Sequence, residues 1–177
     1  MKNPSLKMIT IVALMAALLC VLGPLSVPIG VIPISFTNLA ICLFVVLIGG
    51  KKASVSCVIY LLIGLVGLPV FSGFQGGAGK LFGPTGGYLI GFIFLALISG
   101  FFVDRFADKK WLHALGMFIG TIVLYIFGTA WLSFQSGMSF DQALTVGVIP
   151  FFPFDMIKIL IAVMFGPIIK TRIEHFL

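Results

Sequence analysis

The stretch FFPFDMIKILIAVMF, residues 151–165, is apolar enough for lipid, yet it carries Asp155 and Lys158 three residues apart. On a helix this spacing puts both on one face. An acid and an amine one turn apart supply an acceptor and a donor together, which suits a neutral polar ligand such as an amide or urea. The stripe through Asp155 also holds Phe151, Ile159, Ala162 and Gly166, while the opposite stripe holds Ile157, Leu160, Met164 and Ile168. Small residues mark where membrane helices approach closely, so the charged pair is expected to point into a bundle and the aliphatic stripe to meet lipid. Charges buried in that way are costly and mark ligand or ion paths. The competing reading is structural. Pro153 suits a first helical turn, an acid there can satisfy free N–H groups, and Lys158 can pair with it or reach the interface.

A second group of candidate residues lies in FQGGAGKL, Phe74 to Leu81. It imitates a phosphate-binding loop, but Phe74 stands where the first glycine is needed and Leu81 where a magnesium-binding hydroxyl is needed, which excludes a nucleotide site. Gly76 and Gly77 can instead let backbone N–H groups approach a ligand, or let the loop hinge as a lid. Lys80 can attract a carboxylate; a solvated loop lysine is the equal alternative. Tyr88 follows as either an interfacial anchor or a flat wall with a hydroxyl. Phe71, Phe74, Phe82 and Phe151 can supply apolar walls at the same level. Gly87 and Gly91, and separately Ala13 and Ala17, are spaced for close helix contact. For the alanines the contact is either within the chain or with a partner protein in the membrane.

These residues need a membrane scaffold. The chain has 177 residues, is 60% hydrophobic and 9% charged, against about 25% charged in soluble domains. Apolar runs predict six spans, at about 6–23, 36–49, 53–69, 84–104, 111–132 and 150–170, in one integral membrane domain covering 1–177. The run after Lys7 imitates a signal peptide, but no small-residue cleavage site follows, so it is read as the first span. With a cytoplasmic N-terminus, nine of the eleven Lys and Arg (Lys2, Lys7, Lys51, Lys52, Arg105, Lys109, Lys110, Lys170 and Arg172) fall in cytoplasmic segments, and both termini lie inside. The net charge of +6 thus reports topology rather than nucleic-acid binding. Trp111 and Trp131 bracket the fifth span. The connections at 23–35, 70–83 and 133–149 are rich in Pro, Gly or apolar residues and are expected to fold over the outer helix ends; those at 50–53 and 104–110 are short charged turns.

No H-E-x-x-H occurs, no aspartate cluster for a catalytic metal is present, and His113 and His175 sit near predicted cytoplasmic ends. Cys20, Cys42 and Cys57 lie in apolar runs without paired spacing and read as small buried hydrophobes. Metal, cofactor and enzymatic activity are therefore not expected.

Gly67-Leu68-Pro69-Val70-Phe71, then Gly76-Gly77, then Gly83-Pro84-Thr85-Gly86-Gly87-Tyr88 resemble the signature GLPVF…GG…GPTGGY of the BioY family, the biotin-binding S components of energy-coupling-factor (ECF) vitamin transporters. Phe152-Pro153-Phe154-Asp155 with Lys158 resembles that family's F-x-P-G-D-x-x-K stretch, and Pro33 to Leu39 its proline-initiated second helix. Phe154 departs from the usual Gly, and Ser35 and Thr37 from the usual Thr and Gln, at positions that shape the pocket. The resemblance implies an all-α, six-helix S-component bundle in the bacterial plasma membrane, with a pocket facing outward. Asp155 and Lys158 would hold the ureido group of biotin, and the Gly76–Gly77 loop with Lys80 would meet its carboxylate. Ala13 and Ala17 would meet a transmembrane coupling subunit. Two ATPase subunits would be separate chains and the only users of ATP, and transport would follow from tilting of the S component. An S component for thiamin, riboflavin or a similar vitamin remains an alternative, as does an intramembrane enzyme.

Overall fold

The computed structural model describes residues 6–27 and 34–173; Lys2, Pro33 and His175, to which roles are assigned above, lie outside them. The described chain is helical: α1 (Leu6–Leu22), α2 (Thr37–Ile48), α3 (Gly50–Leu65), a short α4 (Ala78–Leu81), α5 (Gly86–Arg105), α6 (Lys110–Ser136), α7 (Phe140–Gly147) and α8 (Phe152–Ile173). Two short strands, β1 (Ser26–Val27) and β2 (Ile34–Ser35), pair antiparallel, Ser26 opposite Ser35. Helices α5, α6 and α8 are long and apolar enough to cross a membrane, and α1 and α2 are shorter apolar helices.

Close approach is made by glycine. Gly87 of α5 meets Trp131 and Gly128 of α6, Gly91 meets Leu124, and Gly116 of α6 meets Phe102 of α5, so these two helices run antiparallel in tight contact. The Gly87 and Gly91 spacing noted above serves this interface. Between α3 and α5, Gly50 and Gly100 touch so closely that a Cβ on either would strike the other's Cα. Helix α2 is the centre of the bundle: Ala40, Ile41, Phe44, Val45 and Val46 are buried, and Val46 packs on Gly166 of α8. On α8 the buried residues are Asp155, Ile159, Ala162 and Gly166, whereas Ile157, Leu160, Met164 and Ile168 are exposed, which is the division expected from the two stripes.

Some boundaries differ from expectation. Residues 50–53 are not a turn. Gly49 alone breaks the chain, at φ 82°, and α3 starts at Gly50, so Lys51 and Lys52 lie in its first helical turn. Cations there oppose the helix dipole; the compensation is Asp104, whose Oδ2 accepts the Gly50 N–H at 3.1 Å from the end of α5. Helix α3 stops at Leu65 rather than 69, and α6 runs four residues past 132 to Ser136. The connection 133–149 contains α7, whose start is closed by a capping box in which the Ser139 hydroxyl accepts the Gln142 N–H and the Gln142 side chain accepts the Ser139 N–H. On α1 the small-residue face is divided: Ala16 is buried, together with Met15 and Leu19, and Ala13 and Ala17 are exposed.

Candidate functional site

The first turns of α2 and α8 meet the middle of α6 at one end of the bundle. There Asp155 is 5% exposed. Its Oδ1 accepts from Lys158 Nζ at 2.9 Å, and its Oδ2 accepts from the Tyr125 hydroxyl at 2.6 Å. Lys158 Nζ also donates to the Ser35 carbonyl at 2.9 Å. Both carboxylate oxygens thus have side-chain partners; the Lys158 pairing is one the structural reading also allowed, while among the described residues no helix-start N–H donates to the carboxylate. Thr37 N–H donates to Ser35 Oγ at 3.0 Å, and the two hydroxyls lie 2.5 Å apart, which fixes the start of α2 beside the pair.

Asp155, Lys158, Ser35, Asn38 and Tyr125 form the polar part of a cavity. Its apolar walls are Ile34, Tyr88, Phe92, Leu124 and Phe151, and Gly147 of α7 closes one side. A neighbouring cavity shares Ser35, Tyr88 and Phe92 and adds Ser72, Lys80, Thr85 and Leu89. Partial burial lowers the pKa of Lys80 from the ordinary lysine value. Tyr88 is the wall between the two; its hydroxyl lies 3.1 Å from that of Thr129, and its ring packs over Gly128. The two recesses therefore offer a mixed donor–acceptor end, an aromatic neck and a cationic end.

Asp155, Lys158, Ser35, Tyr88, Phe151 and Lys80 all line one of these cavities. Thr37 is buried beneath, against Ser35. The others sit elsewhere. Phe71 is wholly buried, edge-on to Tyr60 with ring centres 5.5 Å apart. Gly77 donates its N–H to the Gly64 carbonyl at 2.6 Å with φ 87°, and Gly76 leaves no room for a Cβ against the Leu68 carbonyl, so both tie their loop to the end of α3. Phe74 and Phe82 are exposed. Sequence reasoning missed Tyr125, Asn38, Phe92, Leu124 and Gly147. The available signal was polar chemistry inside apolar runs: a hydroxyl midway along 111–132 and a carboxamide in 36–49. Among the described residues no group of three or more His, Cys, Asp or Glu is placed to hold a metal.

A helical bundle clad in exposed apolar side chains, with a small charge-balanced recess between its helices, defines a multi-pass membrane protein. Residues 1–175 match the profile of the BioY family. The chain belongs to that family. It is 31% identical over 175 residues, 99% of its length and 96% of the relative's, to the biotin transporter BioY2 of Lactococcus lactis subsp. cremoris. It is 36% identical over 148 residues to the biotin transporter BioY of Thermotoga maritima, covering 84% of this chain and 86% of that one. Its fold matches the crystal structure of an S component for biotin from an ECF-type ABC transporter, with a TM-score of 0.86, 32% identity, and coverage of 97% of this chain and 95% of the other. The fold is therefore that of an S component, embedded in the bacterial cell membrane.

Proposed function

We propose that this chain captures biotin at the outer side of the membrane and delivers it to an ATP-driven ECF module by tilting in the bilayer. Helices α1, α2, α3, α5, α6 and α8 make the six crossings, with both termini cytoplasmic and α4 and α7 at the outer end. The ureido ring takes the polar recess, its N–H groups toward Asp155 and its carbonyl toward Lys158. The apolar ring system and chain pass Tyr88 and Phe92, and the carboxylate meets Lys80. Gly76 and Gly77 shape the loop that carries Lys80. The exposed pair Ala13 and Ala17 is the contact for a transmembrane coupling subunit, and two ATPase chains supply the energy. In this reading the protein is a carrier component and not an enzyme, and it needs no cofactor of its own.

The observation that carries the reading is the Asp155–Lys158 pair inside a cavity with apolar walls. Few convergent polar groups on apolar walls are the pattern of small-molecule sites, and relatives of the same family are named for biotin. The test is thermal unfolding of the purified protein against a panel of biotin, thiamin and riboflavin. A ligand present at 100 times its Kd stabilises by about 2.7 kcal/mol. Biotin is expected to raise the midpoint and the other two to leave it unchanged. A shift with thiamin or riboflavin alone reassigns the ligand, and recovery of chemically altered biotin makes the protein an enzyme.

A further inference from the structure

We infer that Asn38 is a ligand-contacting, specificity-determining residue, and that its amide nitrogen donates to the carbonyl oxygen of the bound ureido ring; this rests on the biotin reading above. Asn38 is only 6% exposed, and it lines the polar recess with Asp155 and Lys158. Its Oδ1 accepts from the Cys42 thiol one turn along α2, at 3.7 Å. That contact turns the oxygen into the helix packing and leaves the nitrogen for the recess. Among the described residues the amide nitrogen has no hydrogen-bond partner, and it is not one of the fully buried polar atoms, so it is open to a ligand in the recess.

The other polar groups there are committed. Tyr125 spends its proton on Asp155, and Lys158 spends two on Ser35 and Asp155. A lysine ammonium has three protons and a carbonyl oxygen has two lone pairs. Lys158 can therefore fill one lone pair of a ligand carbonyl, and the second needs another donor. Asn38 supplies it, one element away from the charged pair. A thioether, ester or simple alcohol in this position would leave the pattern incomplete. A planar urea completes it: its N–H groups face the carboxylate, and its oxygen faces the ammonium and the amide.

The test uses the purified full chain with biotin and with 2-iminobiotin, whose cyclic guanidine is protonated near neutral pH and presents N–H donors where biotin presents an accepting oxygen. Asn38→Leu keeps the size of the side chain and removes the donor. Biotin affinity is expected to fall about 10- to 100-fold, while 2-iminobiotin affinity falls much less, so that the preference between the two narrows about tenfold. A residue that only supports the fold would weaken both ligands by the same factor, and that result overturns the assignment. So does unchanged biotin affinity in Asn38→Leu while wild type binds biotin. If wild type binds no biotin at all, the biotin reading falls and takes this inference with it. Should Asn38→Leu fail to fold, the preference ratio is read from Asn38→Ala, with the same two outcomes.

Discussion

Asp155→Ala is the sharpest perturbation available, because stability and binding respond to it through the same atoms but are restored differently. Truncation removes the acceptor of two short bonds, from Lys158 at 2.9 Å and from Tyr125 at 2.6 Å. Lys158 keeps only the Ser35 carbonyl. Breaking a buried ion pair from one side costs about 3–5 kcal/mol. The lower figure, about 3 kcal/mol, applies here because both side chains border a recess that water can enter and relieve. Adding Lys158→Met removes the orphaned ammonium and is expected to restore about 1–2 kcal/mol, leaving the loss at Tyr125. Binding does not return with it. On the proposed placement of the ureido ring, two charge-assisted bonds to the ligand would be gone, worth about 1.5–3 kcal/mol each, which is a loss of about 100-fold or more. Thermal unfolding in detergent, followed by tryptophan fluorescence, reads stability; equilibrium binding of labelled biotin reads affinity. An Asp155→Ala protein that unfolds with wild type and binds within about threefold of it would refute the placement of this carboxylate in the binding chamber.

Lys80→Met is expected to flatten the alkaline limb of biotin binding. A bound carboxylate favours the ammonium form, so affinity is full below the free-state pKa of Lys80 and falls as pH rises through it; because burial lowers that pKa, the fall begins below the ordinary lysine value, and titration of affinity against pH in both proteins checks it. Ala13→Leu with Ala17→Leu should leave the unfolding midpoint and biotin affinity unchanged, since both residues are exposed, while preventing co-purification with a coupling subunit. Gly100→Leu should destabilise the fold by about 1–3 kcal/mol or more through overpacking, because its new side chain meets the Gly50 backbone, and so lower the unfolding midpoint; biotin-binding stoichiometry in the folded fraction should persist.

The burial pattern of α8 was legible because lipid selects sharply: bulky aliphatics at Ile157, Leu160 and Met164 outside, and Ala162 and Gly166 inside. The Gly87–Gly91 contact was legible for the same reason of size. The start of α3 was not. Only the conformation of Gly49 ends α2, and the acid that closes the next helix, Asp104, is 54 positions away along the chain from Gly50. The hold of Tyr125 on Asp155 spans 30 positions, and no local pattern encodes it. The helix in 133–149 did have its signal, the spacing of Ser139 and Gln142, within a segment read mainly for its lack of charge. Gly76 and Gly77 show the reverse case. Their identity reports tight turns and close backbone approach, and the same residue type serves a ligand-facing loop or a loop tied to its own scaffold equally well.

The ion pair at the heart of the chamber is carried by a single helix, one turn apart. Neighbouring helices can slide or part without ever separating the two charges, so the chamber needs no travelling counterion and has the same net charge in every arrangement of the bundle around α8. A unit charge moved through the full membrane potential is worth about 2.3 kcal/mol per 100 mV, but a compact pair of opposite sign presents only a small dipole to that field. If the protein tilts as proposed, this pair adds almost no voltage dependence to that motion, and an uncharged ring bound beside it adds none.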